Sequence, residues 1–145
     1  MKRGLSTHAW GLWGLLAVFL CRVLSQWIQF TSPVPWLPAF EQWQGSTLSY
    51  PLLLSTQLMI VALVAWCAWR LSVRRFIPRR GVGLVLMGIG AVYFTVMGLR
   101  LLLGVSLLAE IPWFAKPLPA FFHLILASKV LVLGHYHLQP TESSP

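Results

Sequence analysis

Four long apolar stretches alternate with short polar connections along this 145-residue chain. The stretches cover roughly residues 9–29, 51–70, 82–103 and 119–138. Each is close to the ~20 residues that cross the hydrocarbon core of a bilayer as a helix. The pattern predicts an all-α fold, an integral membrane four-helix bundle. Residues 1–138 form its single four-span domain, and residues 139–145 form a mobile polar tail.

The basic residues are unevenly distributed between the connections. The connection between the second and third spans carries five arginines, and the N-terminus carries Lys2 and Arg3. By the positive-inside rule, this distribution predicts that both termini are cytoplasmic and that the other two connections lie outside. Topology thereby accounts for the net charge of +8, and no nucleic-acid partner is predicted. The short length of the chain and the uneven distribution of its basic residues favour a location in a bacterial cytoplasmic (inner) membrane.

The two outer connections are rich in proline and tryptophan, which suits segments at head-group depth. Residues 37–40 and 118–121 both read Leu-Pro-Ala-Phe. An arginine also precedes a Pro-Trp pair in each half of the chain, Arg22 in the first and Arg100 in the second. Two related hairpins would explain this repetition, and chance in a biased composition is the alternative.

Small residues form stripes on three of the spans, and such stripes let membrane helices approach closely. The third span carries Gly81, Gly88, Ala91, Thr95 and Gly98 on one face. The fourth carries Ala120, His123, Ala127, Gly134 and His137. With a similar stripe on the first span, the pattern predicts that the first, third and fourth helices make the tightest contacts.

Polar residues in the outer halves of the spans form the strongest candidate binding site. The cluster comprises Arg22, Gln26 and Arg100, with Glu41 and Glu110 in the adjoining connections. An arginine fork suits phosphate or carboxylate, so the cluster could bind a lipid head group or a quinone. On the structural alternative, the two acids pair with the arginines and hold the connections onto the bundle. Simple snorkelling of the arginines to water is a third interpretation.

Lys129 lies near the middle of the fourth span, and no span contains an acid. Its helical neighbours include Phe122 and Leu133 rather than the small-residue stripe, so the side chain is predicted to face away from the bundle core. A buried lysine without an acid either loses its proton, snorkels, or meets a carboxylate from another molecule. Lys129, Phe122 and Leu133 are therefore the candidate interface with a partner subunit.

The histidines are weak candidates for metal binding. His8, His135 and His137 all belong to the cytoplasmic end, but His135 and His137 point to different sides of an ideal helix. They would converge as ligands only if the helix ended at Gly134. The expected role of His123 is a hydrogen bond to a neighbouring helix. The sequence identifies no cofactor.

The sequence contains no recognisable catalytic motif. Its features favour a small, non-catalytic accessory or assembly subunit of a larger membrane complex, bound to a membrane-protein partner or to further copies of itself. The alternative is a membrane enzyme, or a protein that binds a cofactor, quinone or lipid at the outer arginine and glutamate cluster. A small oligomeric transporter is less favoured, because proton coupling would require an acid within a span.

Overall fold

The four predicted spans are helices in the computed structural model, which describes residues 7–45, 47–73 and 75–139. The helices are α1 (Thr7–Thr31), α2 (Phe40–Trp43), α3 (Tyr50–Ser72), α4 (Arg80–Val105) and α5 (Pro117–Leu138). All but α2 are long and apolar enough to cross a membrane, and the described residues contain no strand. The chain is an all-helical integral membrane protein, as predicted.

Each long helix extends at most two residues beyond the predicted span at either end. Proline stands in the first turn of α3 and of α5, where its missing amide hydrogen would have had no helical partner. The four-residue helix α2 was not predicted. Apart from Gln139, the predicted tail lies outside the described residues, as do Lys2, Arg3 and Arg74.

Neighbouring long helices run antiparallel, so their ends form two groups. We call one group the histidine end, because it contains His8, His135 and His137. The other is the loop end, which carries the connections 32–49 and 106–116. The described arginines in and beside the connection between α3 and α4 lie at the histidine end: Arg70, Arg75, Arg79 and Arg80. The side of the membrane that this end faces stays a prediction of the charge pattern.

The long helices contact one another in the order α3, α1, α5, α4. An apolar core of Ala9, Leu12 and Leu16 on α1 with residues of α3 joins the first pair. The most extensive packing joins α4 and α5. The predicted contacts of the fourth span (α5) with the first (α1) and the third (α4) are therefore present. The predicted contact between α1 and α4 is wrong for the described residues, because α5 lies between them.

Glycines allow α4 and α5 to approach closely. A Cβ atom added at Gly134 would lie 2.9 Å from the backbone nitrogen of Met87, and one added at Gly90 would lie 2.8 Å from Leu131 Cδ2. Gly83 is similarly close to Leu138. The small-residue stripe predicted for α4 is not the face that packs against α5. Of its members, only Gly98 is near α5, while the others are exposed: Gly81, Gly88, Ala91 and Thr95. Because α4 has small residues on two faces, the pattern alone could not identify the packed one.

The Gly134→Ala substitution is expected to lower the free energy of unfolding in detergent by about 1–3 kcal/mol, since the new methyl group meets backbone that must move. Gly88→Ala is the matched control, because nothing lies within 4 Å of its added Cβ. The control should be neutral or slightly stabilising, since alanine is the better helix former. Chemical unfolding followed by tryptophan fluorescence measures both. Equal stabilities for the two variants would contradict the packing described.

Candidate functional site

Seven polar side chains are buried within the long helices: Arg22, Gln26, Gln29, Gln57, Arg100, Lys129 and His137. Three of them are basic and none is acidic. Water cannot satisfy such groups between membrane helices, so each needs a partner from the protein or from a ligand. A side chain whose partners all come from the protein therefore has a structural role, and one with an unpaired atom is a candidate binding residue.

Arg22 holds the first connection against the helices. Its guanidinium Nη2 donates a hydrogen bond to the carbonyl oxygen of Trp43 over 3.0 Å, and its Cζ lies 5.4 Å from the centre of the Phe122 ring. The indole of Trp43 stacks on the same Phe122 ring and donates to the carbonyl oxygen of Pro38 over 2.9 Å. Arg22 thus fixes the short helix α2 against the start of α5.

Further contacts hold this connection on both helical hairpins, which are α1 with α3 and α4 with α5. The side chain of Gln29 donates to the carbonyl oxygens of Leu37 and Pro38 and accepts from the amide of Val34. Lys116, just before α5, donates to the carbonyl oxygen of Gln44 over 2.9 Å. A Cβ atom added at Gly45 would lie 2.6 Å from Pro119 Cβ, so the chain passes closely over α5 there.

Arg100 has the same role in the second connection. Its Nε donates to the carbonyl oxygen of Trp113 over 3.0 Å, and its Cζ lies 4.5 Å from the centre of the Trp113 ring. At Gly104 an added Cβ would overlap the carbonyl oxygen of Phe114, so this connection too lies directly on its helix. Each hairpin therefore contains a buried arginine that binds the carbonyl of a tryptophan in its own connection.

The structure divides the predicted polar cluster. Arg22 and Gln26 are both buried on α1, as their spacing predicts, but Glu41 and Glu110 are exposed. Among the described residues, both arginines donate to backbone carbonyl oxygens and not to these carboxylates. The predicted acid pairing is therefore wrong, although the arginines do hold the connections. Proline-rich connections leave carbonyl groups that no helix uses, and these can accept bonds from arginine.

A second buried pair joins α1 and α3. Gln57, which is 4% exposed, donates through Nε2 to Oε1 of the fully buried Gln26 over 3.1 Å. This single bond leaves Gln57 Oε1 and Gln26 Nε2 without a hydrogen-bond partner among the described residues. Gln57 is not among the predicted site residues. Its polarity within an apolar span was the available signal.

A cavity of about 240 Å³ lies between α1, α3 and α5, beneath the first connection. Its polar lining consists of Arg22, Thr56, Gln57 and His123, and the other lining residues are apolar or glycine. Thr56 bonds to its own helix, and Nδ1 of His123 lies 2.5 Å from the hydroxyl oxygen of Tyr93 on α4. The hydrogen bond predicted for His123 is therefore present. Arg22 and Gln57 remain as the lining residues with unpaired buried atoms.

Lys129 faces the interior, contrary to the prediction. The side chain is 2% exposed, and its Nζ lies 4.1 Å from the centre of the Phe19 ring on α1. The other two predicted interface residues also face inward, since Phe122 contacts Arg22 and Trp43, and Leu133 packs against the core between α1 and α3. The reason is the central position of α5. Its small-residue face contacts α4, and its opposite face contacts α1.

The histidine end brings together two of the three predicted ligands. His8 Nε2 and His135 Nδ1 lie 2.8 Å apart and share a hydrogen bond. His137 turns to the other side, where its Nδ1 accepts from the backbone amide of Arg79 over 3.2 Å. Within the part of the chain that the structure describes, no three His, Cys, Asp or Glu side chains are grouped for metal binding.

Comparison of the chain with protein-family models gives no match, and neither do comparisons with curated proteins and with solved structures.

Replacing each buried arginine should release its own connection. Arg22→Gln is expected to speed backbone amide exchange by at least about tenfold in residues 40–45, because a charge-assisted bond to Trp43 contributes on the order of 1.5–3 kcal/mol. Exchange in residues 106–116 should be unchanged. Arg100→Gln should give the converse result. Hydrogen exchange with mass spectrometry measures both segments in one experiment, and the same exchange pattern in both variants would refute separate roles.

Lys129→Met should raise the free energy of unfolding by on the order of 1 kcal/mol or more, because Nζ is buried without an acceptor among the described residues. Lys129→Arg is the contrasting variant. It should destabilise, since the guanidinium is larger and keeps its charge. Chemical unfolding in detergent distinguishes the two. Destabilisation by methionine comparable with that by arginine would show that the ammonium group has a stabilising partner.

Proposed function

We propose that the protein is a non-catalytic integral membrane subunit that assembles with another membrane protein through α4. The observation that carries this proposal is the position of α4 at the edge of the helix order, where α5 is the one described helix that it contacts extensively. In its most apolar segment 11% of the residues are buried, against 22–33% in the other three long helices. Most of the surface of α4 is thus left for lipid or for a partner.

The exposed surface of α4 has the composition of a helix-packing face. Gly81, Gly88, Ala91 and Thr95 line it, and nothing lies within 4 Å of a Cβ atom added at Gly88. A groove of about 500 Å³ runs beside this glycine along Val92 and Tyr93. Small residues permit close backbone approach and thereby supply the van der Waals contacts that hold membrane helices together. The groove is therefore suited to a helix of a partner protein.

The contacts of the buried arginines support a structural role over a catalytic one. Arg22 and Arg100 each bind a carbonyl oxygen of a connection, and Gln29 does so as well. These bonds hold the loop end together. A four-helix unit whose edge helix α4 is packed on one side and open on the other is the form expected of a subunit whose remaining surface is completed by assembly.

A second candidate function is the binding of a lipid or quinone. It is favoured by the cavity beneath the first connection, where Arg22 and Gln57 have unpaired polar atoms in apolar surroundings. Ligand sites are typically apolar cavities with a few convergent polar groups. This candidate uses α1, α3 and α5, whereas the proposed partner surface belongs to α4.

Gly88→Leu should abolish assembly while leaving the subunit folded, because leucine fills the groove on α4. Gly14→Leu is the matched control, since Gly14 of α1 is exposed and is equally open. The subunit composition is measured by native mass spectrometry after gentle extraction from the protein's own membranes. We expect a stoichiometric complex with the unchanged protein and with Gly14→Leu, but not with Gly88→Leu. An isolated monomer in all three samples, or equal assembly in both variants, would overturn the proposal.

A further inference from the structure

We infer that the cavity between α1, α3 and α5 binds the anionic head group of a membrane lipid. This inference rests on the second candidate function and names its ligand class. It is carried by two buried polar side chains that line the cavity and that each contain one atom without a hydrogen-bond partner: Arg22, which is 8% exposed, and Gln57, which is 4% exposed.

The lining of the cavity contains one cation, Arg22, and no acid. Arg22 is fixed through Nη2 to Trp43, while its Nε has no acceptor. The chain contains only three acidic residues and none of them lies in a spanning helix. Arg22 therefore lacks a counter-charge from the helices, and a negatively charged ligand in the cavity would supply it.

The hydrogen-bonding groups narrow the choice of head group. Arg22 Nε has no acceptor and Gln57 Oε1 has no donor among the described residues, and a small rotation of either side chain would turn these buried atoms towards the cavity. A phosphate esterified to a polyol offers both, as an anionic oxygen for the guanidinium and a hydroxyl for the amide. A fatty-acid carboxylate offers only the first. The shared chemistry is an anionic oxygen head, and the two lipid sources can be distinguished experimentally.

The size and lining of the cavity suit a head group rather than an entire lipid. Its volume of about 240 Å³ is below the roughly 300–1,000 Å³ of pockets that enclose complete small ligands. Leu53, Ile60 and Leu126 provide apolar walls along which acyl chains can continue into the bilayer. The docked connection, with Gly45 and Leu48 in the lining, covers the cavity towards the loop end. A lipid held in this way should remain bound during gentle purification.

The test is native mass spectrometry of the detergent-purified protein during titration with five probes. These are phosphatidylglycerol, oleate, phosphatidylcholine, decylubiquinone and inorganic phosphate. We expect one anionic lipid per chain, with at least tenfold weaker binding in Arg22→Gln. Arg100→Gln is the matched control, because it also releases a connection but does not line the cavity, and it should change the affinity less than twofold. Leu126→Phe fills the cavity while keeping the Arg22 to Trp43 bond, so it should also lose binding, and it replaces Arg22→Gln if that variant does not fold.

Each outcome decides between the alternatives. Stronger binding of phosphatidylglycerol than of oleate identifies a phospholipid, and the reverse identifies a fatty acid. Binding of phosphatidylcholine as strong as that of phosphatidylglycerol overturns the inference, because charge is then not selected. Binding of decylubiquinone alone overturns the inference and preserves the second candidate function. Lipid binding that a folded Arg22→Gln variant leaves unchanged overturns the inference. Binding of none of the four amphiphiles, whether or not inorganic phosphate binds, or lipid binding that Leu126→Phe does not weaken, overturns both.

Discussion

A basic side chain buried between membrane helices needs oxygen atoms or aromatic ring faces, because water is excluded there. In this protein the spanning helices contain no acid to provide them. The connections provide them for two of the three buried basic residues, since Arg22 and Arg100 bind carbonyl oxygens outside the long helices. The connections must therefore fold back onto the helix ends, and their prolines favour the non-helical backbone that leaves these carbonyls available. One electrostatic requirement thus determines the form of the whole loop end.

The central position of α5 determines how the two hairpins join. α1 with α3 and α4 with α5 form the hairpins, and the contact between α1 and α5 connects them. The first connection strengthens this contact, because Trp43 stacks on Phe122 and Lys116 binds the carbonyl of Gln44. Arg22 therefore does more than close its own hairpin. By fixing Trp43, it also fixes the first hairpin onto the second.

The sequence predicts those parts of the fold that follow from one helix at a time. Span positions follow from hydropathy, because a membrane helix must satisfy its own backbone. The inward orientation of Lys129 could not be predicted, since periodicity identifies the faces of α5 but not the number of its neighbours. The prediction of which glycine face of α4 is packed was wrong for the same reason. The Leu-Pro-Ala-Phe repeat is also not structurally equivalent, because residues 37–40 lie in a connection up to the start of α2 and residues 118–121 lie within α5. The common feature of the hairpins is their arginine to tryptophan-carbonyl bond, which depends on how each connection folds.

The cavity and the exposed face of α4 belong to different helices, but one hydrogen bond connects them. Tyr93 lines the groove on α4, His123 lines the cavity, and their side chains bond across the interface between α4 and α5. A helix packed into the groove would therefore contact a side chain that is bonded directly to the cavity wall. The Tyr93 to His123 bond is thus a short physical path between the proposed partner surface and the proposed ligand cavity, so the two candidate functions are compatible in one protein.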